Sequence, residues 1–144
     1  MKYETRSAQE TQQLATKIAS EIEAGSVILI NGELGAGKTT FVKGFIQGLG
    51  GKESEAKSPT FIIMREIDLP KVKLLHLDLY RLEDEDNNLM MEIEEKINEP
   101  NTITIIEWAE RMPKLEQYSS MAIDIDYMDL NTRLISITTP SSSN

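Results

Sequence analysis

Hydrophobic residues change between helical and extended spacing within the first fifty residues of the chain. Ser7 stands in capping-box position, and the apolar residues that follow it fall on one face of a helix. This pattern predicts a helix over residues 8–24, closed by Gly25. Residues 26–30 are apolar or small and predict a buried strand. Residues 40–46 return to a helical pattern, which a glycine pair at 50–51 ends. This alternation of helix and strand favours an α/β fold.

The remainder of the chain contains five strand-like runs and one helical one. The predicted elements are strands at 60–67, 72–79, 102–106, 121–126 and 133–138 and an acidic amphipathic helix at 82–97. The first two strands flank a Leu-Pro turn and are expected to form a hairpin. The last two are separated by a polar turn and are expected to form an antiparallel pair at a sheet edge.

Length and composition predict one folded domain over residues 1–144, with a loose tail at 140–144. The chain is 40% hydrophobic and 27% charged, as in soluble globular proteins. It has no apolar run of about 18 residues and no basic, apolar leader, so we expect neither a membrane span nor export. The lack of cysteine agrees with a reducing cytoplasm.

The net charge of −9 is concentrated in the second part of the chain. Residues 1–51 contain five acids and five bases, whereas residues 52–144 contain nineteen acids and ten bases. Such a surface repels a polyanion. We therefore expect that any RNA involved in the function is held by another protein.

Residues 32–39, between the predicted strand and helix, have the P-loop pattern G-x-x-x-x-G-K-T. Glycines allow successive N–H groups to surround an anion, and the helix N-terminus adds its dipole. Lys38 is predicted to reach the β- and γ-phosphates of a nucleotide, and the Thr39 hydroxyl to bind Mg²⁺. A glycine-rich turn without a ligand is the alternative, which the flanking strand and helix disfavour.

Two predicted strands end in a carboxylate, Asp78 and Glu107. In an open α/β sheet, ligands bind beyond the carboxyl ends of the strands. Nucleotide hydrolysis needs an acid there, either on Mg²⁺ or on the attacking water. The residues alone leave open which acid has which role, or whether one of them is a surface acid or a helix cap.

Several other side chains allow either a functional or a purely structural interpretation. Thr60 follows a polar loop and is a candidate γ-phosphate contact or a plain strand threonine, and His76 is more simply a sheet residue than a catalyst. Trp108 either lies at the rim of the site or belongs to the core. Arg81 and Arg111 are candidate phosphate contacts or solvated side chains. The guanine motif N-K-x-D and an arginine-rich lid are both missing, which favours ATP over GTP and disfavours a small-molecule kinase.

Four motifs in this order closely resemble the TsaE (YjeE) family of bacterial P-loop ATPases. They are G-E-L-G-A-G-K-T-T at 32–40, S-P-T-F at 58–61, H-L-D-L-Y-R at 76–81 and I-E-W-A-E-R at 106–111. The resemblance implies a three-layer α/β P-loop NTPase domain whose central, mostly parallel sheet has antiparallel edge strands. It covers the chain from the first helix to the final strands.

The resemblance also implies a role in a complex. Members of the family are weak, Mg²⁺-dependent ATPases that bind the TsaD and TsaB proteins, which transfer threonylcarbamoyl to the adenosine beside the tRNA anticodon. ATP hydrolysis supports repeated turnover, and tRNA is reached only through the complex. A small-molecule kinase and a non-catalytic, nucleotide-gated adaptor remain the alternatives.

The resemblance assigns roles to particular positions. Lys38 and Thr39 match the phosphate and Mg²⁺ residues, Glu107 the acid on Mg²⁺, and Asp78 the acid needed for hydrolysis. The residues expected to contact the nucleotide are Thr11, Glu33, Leu34, Gly35, Ala36, Gly37, Lys38, Thr39, Thr40, Thr60 and Trp108. The chain departs from the family at residues 91–97, where a usual glycine and aromatic residue are absent.

Overall fold

The structure is a computed structural model that describes residues 1–33, 35–52, 63–84 and 86–140. Its strands are β1 (Lys2–Thr5), β2 (Val27–Asn31), β3 (Met64–Asp68), β4 (Lys73–Asp78), β5 (Thr102–Glu107), β6 (Met121–Tyr127) and β7 (Arg133–Thr138). Its helices are α1 (Ala8–Glu21), α2 (Lys38–Gly48) and α3 (Asn87–Ile97), with short 3-10 helices at Ala109–Arg111 and Pro113–Tyr118. Across the described ranges, no helix is long and apolar enough to cross a membrane.

All seven strands form one sheet in the order β1-β7-β6-β2-β5-β4-β3. The four central strands β6, β2, β5 and β4 are parallel, while β3 at one edge and β7 and β1 at the other pair antiparallel. Every residue of β5 is buried, as expected for a parallel strand covered on both faces. The predicted fold class is therefore confirmed.

Helices cover both faces of the sheet and make three layers. On one face, α1 and α2 pack on the central strands through side chains such as Phe41 and Phe45 against Ile28. On the other face, α3 and the second 3-10 helix pack on β4 and β5, as with Ile93 against Leu77. The parallel strands consequently end together at one edge, where β2, β4 and β5 deliver the residues of the candidate site.

Two glycines allow α1 and α2 to approach closely. A Cβ atom built on Gly44 would lie 2.3 Å from the Gln12 carbonyl oxygen, and one on Gly48 would lie 2.6 Å from that of Thr16. The Thr16 hydroxyl also donates to the Gly44 carbonyl at 2.8 Å. This contact fixes the position of α1 relative to the start of α2.

The boundaries of two helices differ from the sequence-based prediction by three or more residues. Helix α1 ends at Glu21 rather than at residue 24, because Ile22 is already extended, and Gly25 (φ +95°) makes the turn into β2. Helix α3 begins at Asn87 rather than at residue 82. The Asp86 carboxylate caps it by accepting from the N–H groups of the second and third following residues.

The N-terminal strand β1 was not predicted, and it changes the sheet edge. It pairs with β7, so β6 and β7 are not the outermost pair, and β6 instead lies parallel beside β2. The predicted hairpin of β3 and β4 is confirmed. Its first strand begins at Met64, and residues 60–62 of the predicted strand lie outside the described part of the chain.

Candidate functional site

The glycine-rich loop joins β2 to α2 at the carboxyl edge of the sheet. Gly35 (φ +81°) and Gly37 (φ +110°) have left-handed backbone conformations, which side chains other than glycine rarely adopt. The Ala36 N–H donates to the Glu33 carbonyl at 3.0 Å and closes a turn. Gly37 precedes α2 without a side-chain cap, so the first-turn N–H groups of α2 face a position suited to an anion.

Lys38 is held inside the site instead of extending into solvent. Lys38 as a whole residue is 6% exposed, and its Nζ donates to the Gly32 carbonyl at 2.6 Å. Nζ also lies 3.8 Å from the centroid of the Trp108 ring. Burial lowers the pKa of Lys38, and the negative charges of Glu107 and Asp78 oppose this shift. The ammonium group is therefore partly desolvated beside two carboxylates.

The two strand-end acids are neighbours across β4 and β5. The parallel register pairs Asp78 with Glu107, and Glu107 in turn with Ile30 at the end of β2. Glu107 is therefore one strand, and Asp78 two strands, from β2, the strand that enters the loop. Adjacent strands lie about 4.8 Å apart.

The environments of these acids differ. Glu107 is 3% exposed and pairs with His76, whose Nε2 lies 2.6 Å from Oε2 of the carboxylate. Nδ1 of His76 has no hydrogen-bond partner within the described residues, which suits a tautomer with the proton on Nε2. Asp78 is half-buried, and its Oδ1 accepts the Tyr80 N–H at 3.1 Å. Burial raises the pKa of Asp78, and Glu107 adds to the shift while the Tyr80 N–H opposes it.

Trp108 lies directly after the end of β5 with an uncommon backbone. Its φ is +60°, a left-handed conformation that strains a bulky residue. Its half-buried ring covers Lys38 on one side and contacts the Tyr80 ring, with centroids 4.9 Å apart. The strained backbone thus places the aromatic ring at the rim of the site.

A small cavity of about 130 Å³ connects the N-terminal helix with the loop. Thr11 of α1, Gly37 of the loop, Thr40 of α2 and Arg133 of β7 line it. Thr11 is 2% exposed, and its hydroxyl lies 2.7 Å from that of Thr5 in the unpredicted strand β1. A larger cavity, of about 540 Å³, lies on the other side of the loop between Glu33, Trp108 and the end of β6.

Most of the predicted site residues meet at this edge of the sheet. The residues brought together are Thr11, Glu33, Gly35, Ala36, Gly37, Lys38, Thr39, Thr40, Asp78, Glu107 and Trp108. Leu34 and Thr60 lie outside the described residues. Arg81 and Arg111, considered as phosphate contacts, are exposed. Arg133 contacts the loop and was missed, since no motif surrounds it in the sequence.

The donor atoms at the site suit a magnesium ion that arrives with phosphates. Thr39 on the first turn of α2 offers a hydroxyl and Glu107 a carboxylate, and Mg²⁺ prefers such oxygen donors. Within the described ranges, no group of three or more His, Asp or Glu side chains could hold a metal alone. A P-loop site needs only one or two protein oxygens, because the nucleotide supplies others.

The fold and the site define an α/β protein with a glycine-rich strand–loop–helix unit at the carboxyl edge of a mostly parallel sheet. The profile of the family "Threonylcarbamoyl adenosine biosynthesis protein TsaE" matches residues 5–135. The chain belongs to this family, as its motifs predicted.

Individual relatives agree with this assignment. The protein of Aquifex aeolicus named tRNA threonylcarbamoyladenosine biosynthesis protein TsaE is 38% identical over 132 residues, which cover 91% of this chain and 90% of that protein. The protein of the same name from Rickettsia felis is 33% identical over 134 residues, covering 93% and 77%. The crystal structure of Bacillus subtilis YdiB has a TM-score of 0.76 at 28% identity, over 98% of this chain and 86% of that one.

Proposed function

We propose that this chain binds ATP with Mg²⁺ and hydrolyses it slowly, as a subunit that supports TsaD and TsaB in threonylcarbamoylation of tRNA. The observation that carries the proposal is the position of Lys38. Its ammonium group lies between the Gly32 carbonyl, the Trp108 ring and two strand-end acids, at the start of an uncapped helix. Family membership supports the pathway in which the site acts.

Phosphate binding would use groups that are already in place. The first-turn N–H groups of α2 and the Lys38 ammonium provide positive charge around a triphosphate. Lys38 would exchange the Gly32 carbonyl for phosphate oxygens, an anionic and stronger acceptor. The small cavity beside Thr11 and Thr40 adjoins this loop and is available to the nucleoside.

The positions of the two acids favour different roles. Glu107, one strand from the loop, would hold Mg²⁺ together with the Thr39 hydroxyl. Mg²⁺, when bound, neutralises phosphate charge. Asp78 lies one strand further away, and its Oδ2 would accept a hydrogen bond from the attacking water while Oδ1 keeps the Tyr80 N–H. A raised pKa makes its carboxylate a better acceptor for the proton of that water.

Docking on a protein that holds tRNA agrees with the charge of the chain. The net charge is −9, and the described part of α3 exposes acids such as Glu92 and Glu95 on its outer face. Charge complementarity of this kind speeds encounter and weakens with salt. We expect ATP-dependent association with TsaD–TsaB that decreases as ionic strength rises, and no tight binding of bare tRNA.

Calorimetry with ATP and with GTP, each with Mg²⁺, tests the nucleotide proposal. We expect ATP to bind and GTP to bind much more weakly, and we expect released phosphate in the absence of any hydroxyl acceptor. A folded chain that binds no ATP would refute the proposal. Phosphate transfer to a small molecule in place of hydrolysis would favour a kinase instead.

A further inference from the structure

Arg133 joins the glycine-rich loop to the turn between β6 and β7. Its Nε donates to the Ala36 carbonyl at 2.7 Å, and one terminal nitrogen approaches the Gly35 carbonyl at 3.4 Å. The other terminal nitrogen donates to the carbonyls of Asp129 at 2.7 Å and Thr132 at 3.0 Å. A single guanidinium therefore binds two carbonyls of the loop and two of the turn.

The turn that precedes Arg133 is itself well fixed. The Asp129 carboxylate accepts the N–H groups of Asn131 and Thr132 at 3.0 and 2.8 Å. The guanidinium also lies over the Tyr127 ring, 4.7 Å from its centroid. Because its surroundings restrict the side chain, Arg133 can serve as an anchor for the loop.

The contact with Ala36 determines how the next peptide is oriented. A trans peptide is planar, so its C=O and N–H point in opposite directions. With the Ala36 carbonyl directed to Arg133, the N–H of Gly37 points to the opposite side of the loop. Gly37 has a left-handed conformation and could rotate this peptide at little steric cost. A guanidinium on the carbonyl side holds one of the orientations that glycine permits.

We infer that Arg133 is a positioning residue of the phosphate-binding loop. It holds the peptide between Ala36 and Gly37 so that the N–H faces the bound phosphates, and it contributes to affinity through the loop rather than through a contact with the phosphates. The inference rests on the proposed nucleotide binding. The inference goes beyond the proposed function by assigning a role to a strand residue, Arg133, which is 97 positions from the residue whose carbonyl it binds.

The test compares Arg133→Gln, Arg133→Lys and the control Lys17→Gln, which removes an exposed charge from α1. Calorimetry measures binding of ATP and of inorganic tripolyphosphate, and thermal melting measures the ligand-free fold. We expect Arg133→Gln to weaken both ligands by the same factor, about tenfold for the loss of one oriented donor. Arg133→Lys keeps the positive charge but lacks the planar, forked donors of the guanidinium, and should weaken binding of both ligands by a smaller factor. Lys17→Gln should change neither.

Several outcomes would overturn the inference. Wild-type affinity of folded Arg133→Gln for tripolyphosphate would do so, as would weaker binding of ATP alone, which points to a contact with the nucleoside. If Arg133→Gln does not fold, Arg133→Lys decides, since unchanged tripolyphosphate binding by that variant contradicts the inference. A wild-type chain that binds neither ligand would instead refute the proposed function.

Discussion

Replacing Lys38 by methionine separates the cost of burying this side chain from its value in binding. The variant keeps the length of the side chain and removes the ammonium group, which is buried against Trp108 and bound to the Gly32 carbonyl. Loss of a charge-assisted contact with phosphate is worth about 2–3 kcal/mol. We therefore expect Lys38→Met to bind ATP roughly 30- to 150-fold more weakly than the wild type.

The same variant should fold almost as well as the wild type. Burial lowers the pKa of Lys38, so the folded protein disfavours the charged amine relative to the unfolded chain. Between the lowered pKa and 10.5 the unfolded state binds more protons, and wild-type stability rises with pH. Below the lowered pKa the penalty is fully present. Its removal offsets the lost carbonyl hydrogen bond, and the methionine sulfur retains a favourable contact with the ring.

Calorimetry and thermal melting measure the two effects on one sample. We expect a change in unfolding free energy within about 1 kcal/mol, or about 3–4 °C in melting temperature for a chain of this size. Trp108, the single tryptophan, should also report ATP binding by its fluorescence, because its ring lies against Lys38. ATP affinity within about threefold of wild type in the folded variant would refute the assigned role of Lys38.

The other predictions concern the acids and the helix contact. Asp78→Asn should leave ATP affinity nearly intact and lower phosphate release. Asp78→Asn should also raise the melting temperature at neutral pH. The folded pKa of Asp78 lies above 3.8, so between 3.8 and the folded pKa the folded state binds more protons than the unfolded state, and stability falls as pH rises through this range. The substitution removes this loss of stability. Glu107→Gln should mainly weaken the Mg²⁺-dependent part of ATP binding; exchanged effects in these two variants would mean that the roles are reversed. Gly44→Ala should destabilise the fold by about 1–3 kcal/mol, because its Cβ meets the backbone of α1, whereas Gln47→Ala on the exposed side of α2 should be nearly neutral in thermal melting.

Local patterns were sufficient to predict the main elements of the site. The apolar run of β2, the glycines that follow it and the acids that end β4 and β5 depend on side-chain periodicity and turn chemistry. Both can be read from short segments of sequence. That Asp78 and Glu107 are adjacent could not be predicted, because it depends on the strand order, which places β5 between β2 and β4.

The features that the sequence did not reveal depend on distant contacts. Strand β1 is four residues long and mostly polar, and only pairing with β7 makes it a strand. Arg133 reaches the loop through main-chain carbonyls, which leave no trace in residue types. The end of α1 at Glu21 depends on the entry to β2. The single-domain organisation and the roles of all the predicted site residues, including Leu34 and Thr60, stay predictions.

The most direct test of the account is to count rounds of threonylcarbamoyl transfer to tRNA by TsaD–TsaB, supplied with its threonylcarbamoyl donor and ATP. Three reactions are compared: one that contains the wild-type chain, one that contains Lys38→Met and one without added chain. We expect repeated rounds only with the wild type, because the variant lacks the phosphate contact that nucleotide turnover requires. Equal turnover with Lys38→Met, or with no chain at all, would contradict the claim that this nucleotide site supports the complex.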